Sequence, residues 1–100
     1  MAARYKLAPD ALNDLAEIRL HYLNEAGATV ARRVLGELGN AFAFLARTPG
    51  AGHKREDLTG KNVRFWPVFS YMIVYDPTTK PLAIVRVLHG NRDLVSLLQR

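Results

Sequence analysis

The stretch FSYMIVYDPTTKPLAIVRVL, residues 69–88, decides the fold of this chain. It holds two apolar runs, at residues 69–75 and 82–88, which are separated by the turn-forming residues at positions 76–80. Two such runs joined by Asp, Pro and Thr predict a β-hairpin. The first run is almost wholly apolar, as is typical of a central strand that is buried on both faces.

Two amphipathic helices are predicted between residues 9 and 47. Pro9 suits the first position of a helix, and apolar residues then recur at three-to-four spacing for about five turns, up to Gly27. The apolar residues of this first helix are Leu12, Leu15, Ile18, Tyr22 and Leu23. Those of the second helix are Ala31, Val34, Leu35, Leu38, Phe42 and Leu45. The short connection predicts an antiparallel helix hairpin, and we expect Gly39 to allow a close approach between the two helices.

Two further strands complete the predicted sheet. Residues 63–67 form one of them and end at Pro67, which lacks the N–H group that a central position requires. Residues 4–8 alternate between polar and apolar side chains and predict a short first strand. We expect this strand to pair beside the last strands, because the helix hairpin must lie across the sheet to bury its apolar faces.

The predicted fold class is α+β, with the element order β-α-α-β-β-β. It consists of an N-terminal strand, an antiparallel helix hairpin and then a three-stranded antiparallel sheet. Residues 91–100 carry Leu94, Leu97 and Leu98 at helical spacing and predict a short C-terminal helical turn. No repeat or linker divides the chain, so we expect one domain over residues 1–100.

The composition is that of an ordinary globular domain, with 49% hydrophobic and 23% charged residues in a chain of 100. There is no cysteine, which excludes disulfides and thiolate metal sites and is typical of a reducing compartment. No apolar run approaches the length of a membrane span, and the first residues lack the apolar centre of a signal peptide. We therefore expect a cytoplasmic protein that has no contact with membranes.

The net charge of +5 lies entirely in the second half of the chain. Residues 1–46 carry five basic and five acidic side chains, whereas residues 47–100 carry nine basic and four acidic ones. A basic half predicts an acidic partner, either nucleic acid or an acidic protein segment. The alternative is a basic surface without a specific ligand.

Four cationic side chains are predicted to share one surface. Strand alternation places Arg86 on an open face of the sheet, near Arg64, while His89 and Arg92 follow where the strand ends. Arginine binds phosphates and carboxylates through two parallel hydrogen bonds, so this surface could hold either group. The alternatives are a structural ion pair of Arg86 with Asp93 or Asp57, and a turn-stabilising role for His89. For the aromatic residues we predict a place in the core or at an interface; these are Phe65, Trp66, Tyr71 and Tyr75.

Known catalytic patterns are mostly missing from the sequence. It has no Gly-rich phosphate loop after a strand, and its three histidines lack metal-ligand spacing, so we expect no cofactor and no metal. Acid–base cleavage of RNA remains chemically possible, with His89 transferring protons while Arg64 and Arg86 stabilise the phosphate.

Seven segments carry a resemblance to a known family. They are YKLA at 5–8, ALNDLAEI at 11–18, ARRVL at 31–35, LARTPGAG at 45–52, REDL at 55–58, VY at 74–75 and IVRVLHGNRDL at 84–94. In this order and at this spacing they resemble the ParE toxins of the RelE/ParE superfamily. The last segment is the most specific of them.

The resemblance implies the toxin component of a type II toxin–antitoxin system, which inhibits DNA gyrase and is neutralised by a ParD-like antitoxin. The alternative is a RelE-like, ribosome-dependent mRNA endonuclease, with His89, Arg64 and Arg86 as its candidate catalytic residues. That branch usually carries a tyrosine, histidine or lysine near the C-terminus, whereas residues 95–100 read VSLLQR. The gyrase branch, without catalytic residues, is therefore favoured. A third hypothesis is a relative that only binds the antitoxin.

The resemblance also implies a partner that folds on the toxin. A disordered, acidic antitoxin tail is expected to lay a helix along the helix hairpin and an extended segment over the sheet. The predicted antitoxin contacts are Leu20, Tyr22, Leu23, Arg64 and Arg86. The predicted target contacts are His89 and Arg92. We expect any contact with DNA to be made by the antitoxin.

Overall fold

The computed structural model describes residues 4–90 and 92–98. The predicted order of elements is confirmed, with a 3-10 turn, Pro49–Ala51, in addition. The strands are β1 (Tyr5–Leu7), β2 (Arg64–Val68), β3 (Tyr71–Asp76) and β4 (Leu82–His89). The helices are α1 (Pro9–Glu25), α2 (Ala28–Arg47) and α3 (Leu94–Leu98). The predicted C-terminal turn is thus confirmed in α3, while positions 91, 99 and 100, like residues 1–3, lie outside the described residues.

The strands form one sheet in the order β1-β4-β3-β2. β1 runs parallel to β4, which confirms its predicted place, and the other pairs are antiparallel. β3 is an interior strand and mostly buried, as predicted, but it begins at Tyr71 rather than at Phe69, which lies in the turn before it. Pro67 is the fourth of the five residues of β2. Because β2 is an edge strand, a residue without an N–H group can stand there without loss of a hydrogen bond between strands.

The helix hairpin covers one face of the sheet and forms the main core. Tyr71, Ile73 and Tyr75 of β3 and Ile84 and Val87 of β4 face this core. The apolar face predicted for α2 is confirmed, with Leu35 half-buried and the other five residues buried.

The predicted apolar face of α1 is partly wrong. Its buried residues are Ala11, Asp14 and Ile18, whereas Leu12 is 53% exposed. The helix is rotated by about one residue from the orientation that its leucines suggest, because a carboxylate at position 14 bonds to the sheet. The close approach expected at Gly39 is also wrong, since no other group lies within 4 Å of the position that its Cβ would take.

The opposite face of the sheet is not open. Leu58 from the loop before β2, together with Leu94 and Leu98 of α3, forms a second small core there. It packs on Phe65 and Val74, while Trp66 packs on the other face against Phe44 at a ring distance of 5.3 Å. The core position predicted for these aromatic residues is confirmed. Among the residues that the structure describes, no helix combines the length and apolar character needed to cross a bilayer.

Candidate interaction site

Arg86 on β4 forms an ion pair with Asp14 on α1. Its Nε donates to Asp14 Oδ2 at 2.8 Å, and its Nη2 donates to Oδ1 at 2.9 Å. Asp14 is 6% exposed and the side chain of Arg86 20% exposed. The hydrogen bonds that Arg86 donates to the Asp14 carboxylate raise the pKa of Arg86 above its ordinary value. The prediction that Arg86 lies free on an open face is therefore wrong, and so are the partners considered for it, Asp93 and Asp57.

A β-bulge interrupts the alternation of side chains along β4, although Arg86 stays on the face opposite the helix hairpin, where its strand partner Val74 belongs to the second small core. Tyr75 on β3 is paired with Ile84, whereas its neighbour Val74 is paired with Arg86, so Val85 has no partner in the register. An extra residue shifts the alternation of every side chain beyond it. Ile84 and Val87 consequently both face the helix hairpin, although an unbroken strand would put them on opposite faces.

Asp14 also completes the hydrogen bonding of β4. Among the described residues, β1 pairs with β4 at Leu82, Ala83 and Ile84, and the chain then turns into α1. Beyond that point the Val87 N–H donates to Asp14 Oδ2 at 2.9 Å. The carboxylate thus takes the place of a missing strand partner and gives this N–H the acceptor that a buried backbone group needs.

Arg64 is engaged inside the molecule as well. Its Nη1 donates to the backbone oxygen of Gly52 at 2.9 Å. The Tyr75 hydroxyl donates to Pro49 O at 2.6 Å and accepts the Gly52 N–H at 2.8 Å. Burial raises the pKa of Tyr75. Arg64 and Tyr75 therefore fasten the turn at residues 49–52 to the sheet, and Arg64 is a half-buried anchor rather than part of an exposed cationic surface.

His89 and Arg92 lie together at the end of β4. Both line a cavity of about 280 Å³ between α1 and the sheet, to which His21 and Tyr71 also contribute. The rings of His89 and Tyr71 meet edge to face at 5.3 Å. Burial, helped by a hydrogen bond with Tyr22, raises the pKa of Tyr71 to about 12, so this phenol stays protonated at neutral pH.

The residues considered for RNA cleavage do not converge. Arg86 lines a cavity of about 430 Å³ and His89 the adjoining smaller one, with Arg92 shared by both, but Arg64 lines neither. Both arginines already bond to internal acceptors. In the described part of the chain, His89 is thus not flanked by two free arginines, as phosphate stabilisation would require.

α1 presents a second apolar face to solvent. Leu20 is 59% exposed, and Leu12, Ala16 and Leu23 share its side of the helix at three-to-four spacing. We call these four residues the outer stripe. Leu20 and half-buried Leu23 are accessible there as expected, whereas Tyr22 packs against the main core.

Phe69 is a prominent exposed residue that the sequence pattern does not single out. It is 62% exposed and has a backbone φ of 54° in the turn between β2 and β3. The almost wholly apolar run from 69 to 75 predicts a strand that includes Phe69, whereas the residue lies in the turn.

Comparison with known proteins finds the same fold in a solved structure. A chain from a solved structure described as "Chromosomal ParDE TA system from P. aeruginosa" superposes with a TM-score of 0.74. The two chains are 19% identical, and the match covers 88% of this chain and 96% of that one, which shows a shared fold. No match is found among curated protein sequences.

The family follows from the sequence match. The family described as "ParE toxin of type II toxin-antitoxin system, parDE" matches residues 5–94. The chain therefore belongs to the ParE toxin family of type II toxin–antitoxin systems. The resemblance found in the sequence is confirmed, and the RelE-like alternative is not favoured.

Proposed function

We propose that this toxin inhibits DNA gyrase and is neutralised by a ParD-like antitoxin that folds on its surface. The observation that carries the proposal is the match to the ParE family over residues 5–94, nearly the whole chain. The function is one of binding, without a chemical step of the toxin's own.

The side-chain chemistry supports an inhibitor more than a nuclease. Arg64 and Arg86, the cations that would hold a phosphate, are bonded to Gly52 and Asp14. Residues 95–98, the described part of the tail, carry no group that transfers protons near neutral pH.

The outer stripe supports an antitoxin that binds as an amphipathic helix. Leu12 and Leu20 are large apolar side chains left in water, and such a patch often marks a protein interface. Arg19, Arg32 and Arg33 are exposed on the same helix pair and would attract an acidic segment. Arg64 and Arg86 stay predicted antitoxin contacts. Each guanidinium group has five N–H donors, so it could bind an antitoxin carboxylate and keep its internal acceptor at the same time.

The experiment that tests the function incubates the purified toxin with gyrase, plasmid and ATP. We expect cleaved DNA to accumulate, and this effect to disappear when the antitoxin is added first. A parallel reaction with ribosomes and mRNA should leave the mRNA intact. Cut mRNA together with unaffected gyrase would establish the RelE-like alternative. If neither effect occurs while the antitoxin binds tightly, the chain is only an antitoxin-binding module.

A further inference from the structure

The turn between β2 and β3 holds an aromatic residue in an unfavourable backbone conformation. Val68 pairs with Tyr71, so Phe69 and Ser70 alone form the loop of the hairpin. Phe69 has φ of 54°, a value that glycine, asparagine and aspartate adopt readily in two-residue hairpin loops. For a bulky side chain such a φ is a genuine outlier, and it raises the energy of the fold.

The side chain lies mostly in solvent and gives little packing that would offset this strain. It is 62% exposed, the largest exposed fraction among the exposed large hydrophobic residues of the described chain. Phe69 also takes part in neither of the two cores. A glycine or asparagine would form the same turn with less strain and less apolar surface in water. Folding therefore does not explain a phenylalanine here, and strained residues of this kind cluster at functional sites.

The surroundings of the turn have the chemistry of a protein-binding surface. The Gly90 N–H donates to Ser70 O at 2.8 Å, which fixes the end of β4 beside the turn. His89 precedes Gly90, and the Arg92 N–H donates to His89 O at 3.1 Å. Phe69 thus lies at the same end of the sheet as His89 and Arg92. Aromatic residues and arginine are enriched among the residues that dominate binding energy at protein interfaces.

We propose that Phe69 is the anchor with which the toxin enters an apolar pocket on its protein target, with Arg92 and His89 facing an acidic rim of that pocket. This inference rests on the proposed function, because it presumes a target other than the antitoxin. The outer stripe already offers the antitoxin an apolar surface. Duplex DNA is disfavoured as the occupant, because Glu17 lines the same cavity as Arg92 and exposed Asp93 follows it.

The decisive variants are Phe69→Gly and Phe69→Asn, because the inference predicts opposite effects on folding and on binding. The thermal unfolding midpoint of the isolated toxin should equal or exceed that of the wild type, since both residues tolerate a positive φ. Affinity for gyrase should fall at least about thirtyfold, as for the loss of a dominant interface residue. Affinity for the antitoxin should stay within about threefold. Val95→Ala, which trims an exposed apolar residue on α3, is the matched control and should leave both affinities unchanged.

A growth assay keeps this test independent of gyrase. Expression of the wild-type toxin without antitoxin should arrest growth, and Phe69→Gly should relieve the arrest at an equal protein level. If growth is arrested and relieved in this way but the wild type does not bind gyrase, the inference stands and the proposed target is wrong. If the wild type binds gyrase and Phe69→Gly binds it equally well, the inference is wrong and the proposed function stands.

The remaining outcomes contradict the inference directly. A lower unfolding midpoint for both variants would show that the ring packs within the toxin. A selective loss of antitoxin binding would assign Phe69 to the antitoxin interface, and a selective loss of duplex DNA binding would assign it to nucleic acid. A wild-type toxin that does not arrest growth has no target for Phe69 to enter.

Discussion

Asp14 and Arg86 are 72 residues apart in the sequence and are joined by two parallel hydrogen bonds of 2.8 and 2.9 Å. The same carboxylate accepts the N–H of Val87 at 2.9 Å. One side chain of α1 thereby fixes the helix on β4, an interior strand of the sheet. An ion pair that is also tied to the backbone in this way sets the register of helix against sheet, which an apolar contact alone would leave adjustable.

Removing the carboxylate should destabilise the fold strongly. We expect Asp14→Ala to lower the free energy of unfolding by about 3 kcal/mol or more, because Arg86 and the Val87 N–H both lose their acceptor. Urea denaturation measures this change. The control is Glu37→Ala, an exposed carboxylate on α2, which should cost less than about 0.5 kcal/mol. The double variant Asp14→Ala with Arg86→Met should cost less than the sum of the single changes, and strict additivity would show that the pair is not coupled.

The position of this ion pair could not be predicted from the sequence. Alternation along β4 puts Arg86 on the face opposite the helix hairpin, where it lies, but it cannot show that a carboxylate from α1 reaches that side chain. An acidic residue in the first turns of a helix is usually explained by the positive end of the helix dipole, so the sequence gives no reason to single out Asp14. Its real role depends on a strand far away in the sequence.

The element order and most of the core, by contrast, followed from the sequence. α2 carries apolar residues at helical spacing along its whole length, and each of the predicted residues is buried or half-buried. The interior strand β3 is apolar at almost every position, which leaves little choice about where it lies. Tyr71 and Tyr75 share the face that meets the helices, as period-two alternation requires. Local periodicity thus determined the elements, whereas the polar partners between elements depended on the tertiary fold.

The hydroxyl of Tyr75 should contribute measurably to stability. Tyr75→Phe leaves the Gly52 N–H and Pro49 O without their partner, and we expect a loss of about 1–3 kcal/mol. The partly exposed Tyr5 provides the control, since Tyr5→Phe should change stability by less than about 0.5 kcal/mol. Chemical denaturation of both variants measures their free energies of unfolding. Equal effects would mean that water replaces the Tyr75 hydroxyl at no cost.

Two glycine-to-alanine substitutions should act in opposite directions. A Cβ at Gly52 would lie 2.5 Å from the Tyr75 hydroxyl and 3.0 Å from Phe65 O, so Gly52→Ala should cost about 1–3 kcal/mol through displaced neighbours. At Gly36, inside α2, no other group lies within 4 Å, and Gly36→Ala should stabilise the protein by about 0.5–1 kcal/mol through helix propensity. Thermal unfolding shows whether each variant is more or less stable than the wild type. A destabilised Gly36→Ala would indicate a contact at α2 that the fold does not account for.

Alkaline pH should weaken the fold through Tyr71. Its pKa in the folded protein is raised to about 12, whereas an unfolded tyrosine has a pKa of about 10. Below about pH 10 the stabilisation is complete; as the pH rises towards 12 the unfolded chain releases a proton that the folded chain retains, so stability falls. We therefore expect the wild type to lose stability relative to Tyr71→Phe between about pH 9 and about pH 11. A constant difference would mean that Tyr71 titrates like an exposed phenol.

The outer stripe should contribute to antitoxin binding without contributing to folding. Leu20→Asp puts a negative charge into the apolar face that we assign to an acidic antitoxin, and affinity should fall at least about tenfold. Since Leu20 is 59% exposed, its replacement should change the free energy of unfolding by only about 0.5 kcal/mol. Asn13→Asp adds the same charge to another exposed position of α1, outside the stripe, and should alter affinity by less than about threefold.

Isothermal titration with the antitoxin compares the three proteins under the same salt conditions, which matters because long-range charge effects weaken with ionic strength. If both variants lose affinity equally, the antitoxin responds to the net charge of α1 and not to its apolar face. If neither loses affinity, the antitoxin binds elsewhere, and the groove between α1 and β4 becomes the next surface to test. A loss confined to Leu20→Asp that persists at high salt identifies burial of the leucine as the source of the affinity, since apolar contacts are not screened.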